Sequence, residues 1–279
     1  MNKFFKISTA IFCAAIFFIF SLNFANAAET LQKGEGIYKF EEPTGKTSDP
    51  IDVYYYRPKN WKDGDKIFVT FHGSGRKGKP FITGLKKIAE QKNFLLISPE
   101  FTKEKYPHDR NYNHGNVLIN KKITPRSEWT YNTVNRIIDD LKIRAGAKKS
   151  KIIFFGFSAG SQFMSRYIFL ADKIKADRVI SASARSYMFP DENKNYPTGL
   201  KNSPVTKKDL KRAYKQDVII MVGDKDIKVN RLDLAKDFFE QSKKKAEELG
   251  AKFNWRLVIV PNVGHSRIKM AKAALKYLY

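Results

Sequence analysis

The chain has 279 residues, of which 42% are hydrophobic and 14% aromatic, and its formal net charge is +24. Enough apolar side chains are present for a sizeable core, which excludes a globally disordered chain. The excess of cations predicts attraction to anionic surfaces or polymers. Because no nucleic-acid-binding motif accompanies that charge, we expect no nucleic-acid partner.

The first residues have the features of an export signal. Lys3 and Lys6 give a positive start, and residues 7–22 form an almost entirely apolar run. Ala25-Asn26-Ala27 then supplies the small-x-small pattern of a signal-peptidase site. An uncleaved membrane anchor is the alternative, but the run is shorter than the roughly 20 residues that a spanning helix needs. The sequence therefore predicts a cleaved signal peptide at residues 1–27.

Cleavage would leave a mature chain of residues 28–279, which we expect to be secreted or periplasmic. The only cysteine, Cys13, belongs to the signal, so we expect no disulfide, cysteine nucleophile or thiolate metal site in the mature chain. No later stretch is apolar for long enough to cross a bilayer, so no stable membrane span is expected after cleavage.

Beyond the signal, strand-like and helix-like segments alternate along the chain. Several strand candidates are short, unbroken runs of Ile, Val and Phe, which is typical of strands buried on both faces. The alternation predicts an α/β fold, with a mainly parallel central sheet and helices on both faces, in one domain over residues 28–279. The strand candidates are Ile51–Arg57, Ile67–Phe71, Phe94–Ser98, Ile152–Phe155, Arg178–Ala182, Val218–Val222 and Trp255–Val260.

Apolar residues repeat with a helical period in three segments between or after these strands. Two of the segments end at a glycine, Gly146 or Gly250, which suits the left-handed position that follows a helix. Residues 100–126 and 185–216 show little regular pattern, and their length is typical of lids or binding loops. The three helical segments cover residues 134–145, 235–249 and 268–278.

The strongest motif is Gly156-Phe157-Ser158-Ala159-Gly160, which directly follows a strand candidate and precedes a helix-like stretch. On its own this pattern is often an ordinary glycine-bounded turn. Between a strand and a helix, it places a serine on a sharp turn whose small neighbours avoid clashes. Such a turn exposes the Ser158 hydroxyl and directs the Ala159 N–H at a developing oxyanion. We therefore predict Ser158 as a nucleophile and Ala159 as an oxyanion-hole donor.

A serine hydroxyl needs a base near neutral pH, and the chain has 4 histidines. His265 is favoured because it lies beyond the last strand candidate and follows the serine in the chain. A carboxylate must orient the histidine, and the strand at residues 218–222 leads into Asp224 and Asp226. We predict Asp226 as the acid, a few residues beyond the strand end, with Asp224 as the alternative.

A second oxyanion donor is expected after an early strand. His72-Gly73-Ser74-Gly75 follows the strand candidate Ile67–Phe71, which we number as the third strand. Its glycines let a backbone N–H face the nucleophile. We predict that the Ser74 N–H is this donor, with Gly75 as the next candidate.

With these motifs in place, the sequence resembles the α/β-hydrolase superfamily from about residue 51 to its end. More narrowly, it is similar to secreted bacterial esterases near the polyhydroxybutyrate depolymerases and feruloyl esterases. The resemblance implies Ser158 as nucleophile, Asp226 as acid and His265 as base. It departs from the depolymerases because the predicted mature chain has no cysteine. The matching motifs are HGSG (72–75), GFSAG (156–160), GDKD (223–226) and GH (264–265), with the narrower likeness in residues 98–101, 112–116 and 160–163.

These observations predict an exported carboxylic-ester hydrolase that works through a Ser-Asp-His triad and an acyl-enzyme, on a small-molecule or polymeric ester. Two alternatives remain open. One is a peptidase or amidase with the same triad, and the other is a non-catalytic binder of anionic polymers on the same scaffold. No cofactor or metal is expected, because the triad chemistry needs none.

Overall fold

The computed structural model describes residues 29–45, 47 and 50–279. The predicted signal peptide at residues 1–27, with its cleavage site and Cys13, lies outside the described residues. No helix within the described ranges is both long and apolar enough to cross a membrane.

Within the described residues, eight strands form the central sheet and two short ones form a separate hairpin. The strands are β1 (Gly34–Phe40), β2 (Ile51–Arg57), β3 (Ile67–Phe71), β4 (Leu95–Glu100), β5 (Leu118–Ile119), β6 (Lys122–Ile123), β7 (Ile152–Phe157), β8 (Arg178–Ala182), β9 (Asp217–Gly223) and β10 (Trp255–Val260). The sheet order is β1-β2-β4-β3-β7-β8-β9-β10. The pairs β1–β2 and β2–β4 are antiparallel, and all pairs from β4 to β10 are parallel. The predicted mainly parallel sheet is confirmed.

Helices cover both faces of this sheet, as the alternating pattern predicted. Adjacent strand residues point to opposite faces, so Phe68 joins the apolar core under Phe81 of the first helix, while Val69 joins the core that contains Phe163. The first and last helices pack on one face and the other four on the opposite face. The helices described are α1 (Lys79–Lys92), α2 (Thr130–Ala145), α3 (Ala159–Leu170), α4 (Lys207–Lys215), α5 (Arg231–Glu248) and α6 (Arg267–Ala274).

Strands in the middle of the sheet match the sequence prediction most closely. The bounds of β2, β3, β8 and β10 are those predicted, whereas β7 differs by two residues at one end, and β4 and β9 differ by one or two residues at both ends. The sequence prediction missed β1, an edge strand in which Tyr38 and Phe40 are the only fully buried residues. Without a continuous apolar run, such an edge strand gives only a weak pattern.

Two helices were also missed, each for a local reason. In α1, Pro80 and Gly84 interrupt the apolar pattern, although proline is tolerated in a first helical turn and Gly84 leaves room for Ile268. Helix α4 lies within residues 185–216, so that segment is not irregular throughout its length. Its many lysines leave only Leu210, Ala213 and Tyr214 to mark a buried face.

A close backbone crossing holds the turn between β7 and α3. A side chain on Gly160 would overlap the carbonyl oxygen of Phe71 in β3, and one on Gly156 would overlap the carbonyl oxygen of Gly160. Between these glycines, Ser158 has φ 57° and ψ −111°, a conformation that residues with side chains rarely adopt. The two glycines of the motif are therefore required by the packing of α3 against the sheet.

We expect Gly160→Ala to lower the free energy of unfolding by about 1–3 kcal/mol, because the new methyl group has no space beside Phe71. Chemical denaturation of the purified variant measures this change. Gly75→Ala is the matched control, since a side chain there meets nothing within 4 Å. Equal stability of the two variants would contradict the tight crossing.

Candidate active site

The proposed nucleophile lies at the carboxyl edge of the sheet, on the turn that joins β7 to α3. The Ser158 N–H donates to the Ala182 carbonyl at the end of β8 across 3.0 Å, which ties the turn to the next strand. The Ser158 carbonyl accepts the first hydrogen bond of α3, from the Gln162 N–H at 3.0 Å. The backbone on both sides of Ser158 is thus fixed, and its side chain faces the loops at this edge.

Ser158, His265 and Asp226 lie in one hydrogen-bonded row. His265 Nε2 is 3.2 Å from Ser158 Oγ, and His265 Nδ1 is 2.8 Å from Asp226 Oδ2. An ionised carboxylate only accepts, so Nδ1 carries the proton and Nε2 of the neutral ring is left to accept from the serine hydroxyl. The imidazole also packs on the ring of Phe157, with the centroids 4.6 Å apart. This arrangement can take a proton from Ser158.

The carboxylate of Asp226 is buried, with 1% of its side chain exposed, and both of its oxygens have partners. While Oδ2 faces His265, Oδ1 accepts from Arg231 Nη1 across 3.0 Å. Arg231 also donates to the Lys228 carbonyl at 2.8 Å, which closes the loop after β9. The guanidinium thus compensates a buried negative charge and orients it toward the imidazole. The sequence prediction missed Arg231, which lies five residues after the acid.

Asp224, the alternative acid, lies elsewhere. Its N–H donates to the Val260 carbonyl across 3.1 Å, and its side chain is half-buried. Within the described part of the chain, its Oδ1 is buried without a hydrogen-bond partner. The structure therefore brings Asp226, and not Asp224, against His265.

Of the two predicted oxyanion donors, Ala159 is the better placed. It is the first residue of α3, and N–H groups of a first helical turn have no acceptor within the helix. In the loop after β3, Gly73 lies against Ser158, because a Cβ built on it would lie 3.5 Å from Ser158 Cβ and 3.9 Å from its Oγ. Ser74 is exposed one residue further along, and its role stays a prediction.

Part of the segment 100–126, which was expected to be a lid or binding loop, packs against the glycine-rich loop through residues 101–117. His72 Nε2 accepts from the Phe101 N–H across 2.9 Å, and the Tyr112 hydroxyl donates to the His72 carbonyl at 2.8 Å. The buried Arg76 donates to the carbonyls of Phe101 and Tyr106, at 3.3 and 2.9 Å, and its guanidinium stacks over Tyr112 at 4.3 Å. These contacts fix the loop that carries Gly73.

A buried arginine anchors the second irregular segment to α3. Arg166 is fully buried and donates to the Gln162 carbonyl at 2.8 Å, to the Pro197 carbonyl at 2.9 Å and to Ser186 Oγ at 3.2 Å. Tyr187 is also buried and stacks on Phe238 of α5, with the ring centroids 4.4 Å apart. The segment after β8 is therefore fixed to the helix that begins at the proposed nucleophile.

No cluster suited to a metal ion is found where the chain is described, meaning three or more His, Cys, Asp or Glu side chains close together. His72 serves packing and hydrogen bonding, and His114 is a half-buried residue of the segment 100–126. Burial lowers the pKa of each to about 3, so both stay neutral over the usual working range.

The chain is a member of the α/β-hydrolase superfamily, as its fold and its similarity to solved structures show. It is similar to poly(aspartic acid) hydrolase-1 from Sphingomonas sp. KT-1, with 28% identity, a TM-score of 0.83, and coverage of 89% of this chain and 99% of that one. It is also similar to LpqC, a poly(3-hydroxybutyrate) depolymerase from Bordetella parapertussis, with 24% identity, a TM-score of 0.82, and coverage of 88% and 90%.

A more distant similarity extends to an acetyl xylan esterase from Aspergillus awamori, with 14% identity, a TM-score of 0.57, and coverage of 87% of this chain and 98% of that one. No protein-family model matches the chain, and the comparison with curated proteins finds no match. The similarity that identifies the superfamily is thus a similarity of structure.

We expect the free energy of unfolding to fall as the pH falls from 6.5 toward 3, in part because of His72. Burial lowers the pKa of His72 from 6.5 to about 3, so in this range the unfolded chain binds a proton that the folded chain excludes. Each such histidine lowers the free energy of unfolding by about 1.4 kcal/mol for each pH unit of this fall. Urea denaturation at several pH values within this range measures the slope.

In His72→Gln that contribution is removed, and we expect a shallower dependence of stability on pH than in the wild type. His108→Gln is the control, because His108 is exposed and its removal leaves the His72 contribution intact. An unchanged slope in His72→Gln, or an equal change in His108→Gln, would contradict a neutral buried His72.

Proposed function

We propose that the protein is a serine hydrolase that acts on carboxylic esters, with Ser158 as nucleophile, His265 as base and Asp226 as acid. The observation that carries the proposal is the row of two contacts, 3.2 Å from Ser158 Oγ to His265 Nε2 and 2.8 Å from His265 Nδ1 to Asp226 Oδ2. Further support comes from the strained backbone of Ser158 at a strand-to-helix turn.

The reaction has two acyl-transfer steps. His265 Nε2 takes the hydroxyl proton as Ser158 Oγ attacks the ester carbonyl, and the same proton is then given to the departing alcohol. Water activated by His265 next attacks the acyl-enzyme, releases the carboxylic acid and regenerates Ser158. Asp226 holds the Nδ1 proton and stabilises the imidazolium that forms in each step.

Charge that develops on the carbonyl oxygen needs donors in the turn and in the loop after β3. We assign the first to the N–H of Ala159, which precedes the first hydrogen bond within α3. The second is the predicted Ser74 N–H, in the loop whose Gly73 lies against Ser158. His72 and Arg76 act on this step only indirectly, since they hold the loop in place.

A second candidate is an amidase that uses the same residues. It is favoured by the similarity to a protein named poly(aspartic acid) hydrolase-1, at 28% identity over 89% of this chain. Comparing a panel of p-nitrophenyl esters with amide substrates distinguishes the two. If amides are cleaved, esters are not, and amide cleavage is lost in Ser158→Ala, the amidase replaces the esterase.

We also propose that the protein is exported from the cytoplasm. Residues 1–27 are the proposed signal peptide, and residues 28–279 the secreted or periplasmic domain, which fits a small or polymeric substrate met outside the cytoplasm. A third candidate is a non-catalytic binder that uses the net charge of +24 to hold anionic polymers. Such a binder has no need of an activated serine, which provides the simplest test.

We expect a fluorophosphonate probe to label the wild-type protein and not Ser158→Ala, because the probe reacts with a serine that a base has activated. Intact-protein mass spectrometry measures the adduct. Absence of an adduct on a correctly folded wild-type protein would favour the binder over the hydrolase.

We expect Ser158→Ala, His265→Ala and the double variant to lose similar activity, because members of a triad act as a unit. The loss in kcat is expected to be on the order of 10⁶-fold, as measured with a chromogenic ester under single-turnover conditions. Additive losses in the double variant would indicate that the two side chains act in separate steps or sites.

The two candidate acids give a matched pair of isosteric variants. We expect Asp226→Asn to lower kcat by about 10⁴-fold, since an amide cannot hold the Nδ1 proton of His265 in the required tautomer. Asp224→Asn is expected to change kcat less than tenfold, because Asp224 lies away from the imidazole. The reverse order of the two losses would move the role of acid to Asp224.

A further inference from the structure

An open groove lies at the starts of α1 and α6, on the face of the sheet that these two helices cover. Its volume is about 660 Å³, and its lining includes Lys77, Lys79, Glu100 and Arg267. This volume is within the range of pockets that hold small molecules. None of the steps described above uses this groove.

The charges that line the groove do not cancel. Glu100 is committed to local contacts, because its Oε2 accepts from the Gly78 N–H at 2.6 Å and its Oε1 lies 3.9 Å from Lys77 Nζ. Within the described residues, neither Lys79 nor Arg267 has a carboxylate within salt-bridge distance. Lys77 is therefore paired with Glu100, and Lys79 and Arg267 remain as uncompensated positive charges along the groove.

Arg267 is the more specific of these two cations. Its guanidinium lies 5.4 Å from the centre of the Phe81 ring, which restrains its position, and the side chain is only partly exposed. Where the chain is described, its guanidinium donates no hydrogen bond, and because only Nε is buried, Nη1 and Nη2 are the donors open to a ligand. A planar guanidinium with unused donors matches the two oxygens of a carboxylate, and Lys79 supplies a second positive charge nearby.

The groove lining includes residues that follow closely after His265 and Gly73 in the chain, and both of these residues lie near Ser158. Arg267 follows His265 by two residues, so their Cα atoms are at most about 7 Å apart. On the other side, Lys77 follows Gly73 by four residues, and Gly73 lies against Ser158. A group bound at Arg267 would therefore belong to the part of the substrate that flanks the reacting carbonyl.

From these observations we infer that the groove is a carboxylate-binding subsite, in which Arg267 and Lys79 hold an acid group of the substrate next to the scissile bond. This inference rests on the proposed function and narrows it to esters or amides of acidic molecules, including anionic polymers. The surrounding excess of cations assists it, because a positive surface attracts such substrates over a longer range.

Two matched sets of esters test the subsite. One set places a carboxylate on the acyl side, as mono-p-nitrophenyl esters of dicarboxylic acids of increasing length, and the other on the alcohol side, as carboxyalkyl acetates. Each acid is paired with its methyl ester, and the measured quantity is the acid-to-neutral ratio of kcat/KM. We expect a wild-type ratio of at least tenfold in one set at low ionic strength, which declines as salt is added.

We expect the ratio to fall about tenfold in Arg267→Gln, which corresponds to the loss of one charge-assisted contact. Lys79→Gln, an exposed position, should lower it less, and Arg267→Lys should give an intermediate value because it keeps the charge without the planar fork. Lys243→Gln is the control: it removes the same charge from exposed α5, on the opposite face of the sheet.

A wild-type ratio near one in both sets, or an equal fall in Lys243→Gln and Arg267→Gln, would overturn the subsite. If no ester or amide is turned over, the proposed function fails separately, and calorimetric binding of a dicarboxylate to the full-length protein then tests the groove alone. Binding that is weakened in Arg267→Gln and Lys79→Gln, but not in Lys243→Gln, supports the carboxylate site. Unaltered binding in all three variants contradicts it.

Discussion

The close crossing of α3 over β3 and β7 is the constraint on which the rest of this structure depends. Gly156 and Gly160 allow the helix to start directly above the sheet, and Ser158 between them has φ 57°. A residue with a side chain in this region costs on the order of 1–3 kcal/mol and persists because the surrounding packing fixes it. The crossing brings the hydroxyl to the edge where the loops after β3, β9 and β10 meet. Three side chains that are distant in the chain can therefore approach one another without any lid movement.

Charged and aromatic side chains inside the fold hold those loops in position. Arg76 ties the glycine-rich loop to residues 101–117 through backbone carbonyls, and Arg231 pairs with the buried carboxylate of Asp226. Arg166 plays a similar part for the segment after β8. A buried cation is costly unless acceptors surround it, so the hydrogen bonds of Arg76 and Arg166 couple the position of each loop to the core. Parts of the segments whose sequences suggested lids are thus anchored to the core.

The sequence predicted the parts of the molecule whose pattern is local. Central strands are continuous apolar runs, and the turn around Ser158 has a short motif between a strand and a helix, so both could be recognised. Edge strand β1 and the lysine-rich α4 were missed because half-exposed elements have weak patterns. The partnership of Asp226 with Arg231, and the approach of Gly73 to Ser158, depend on loop geometry that spacing along the chain does not contain. The groove at Arg267 could not be predicted from the sequence either, since its lining comes from four separate segments of the chain.

We propose that Ser158, at the strand-to-helix turn, forms a covalent intermediate with the substrate. Brief exposure of the protein to an activated ester, followed by acid quenching, digestion and tandem mass spectrometry, tests it most directly. We expect an acyl group on the hydroxyl of Ser158, which accumulates in the pre-steady state and disappears as the carboxylic acid is released. Ester turnover without any acyl adduct, or with the adduct on another residue, would contradict it.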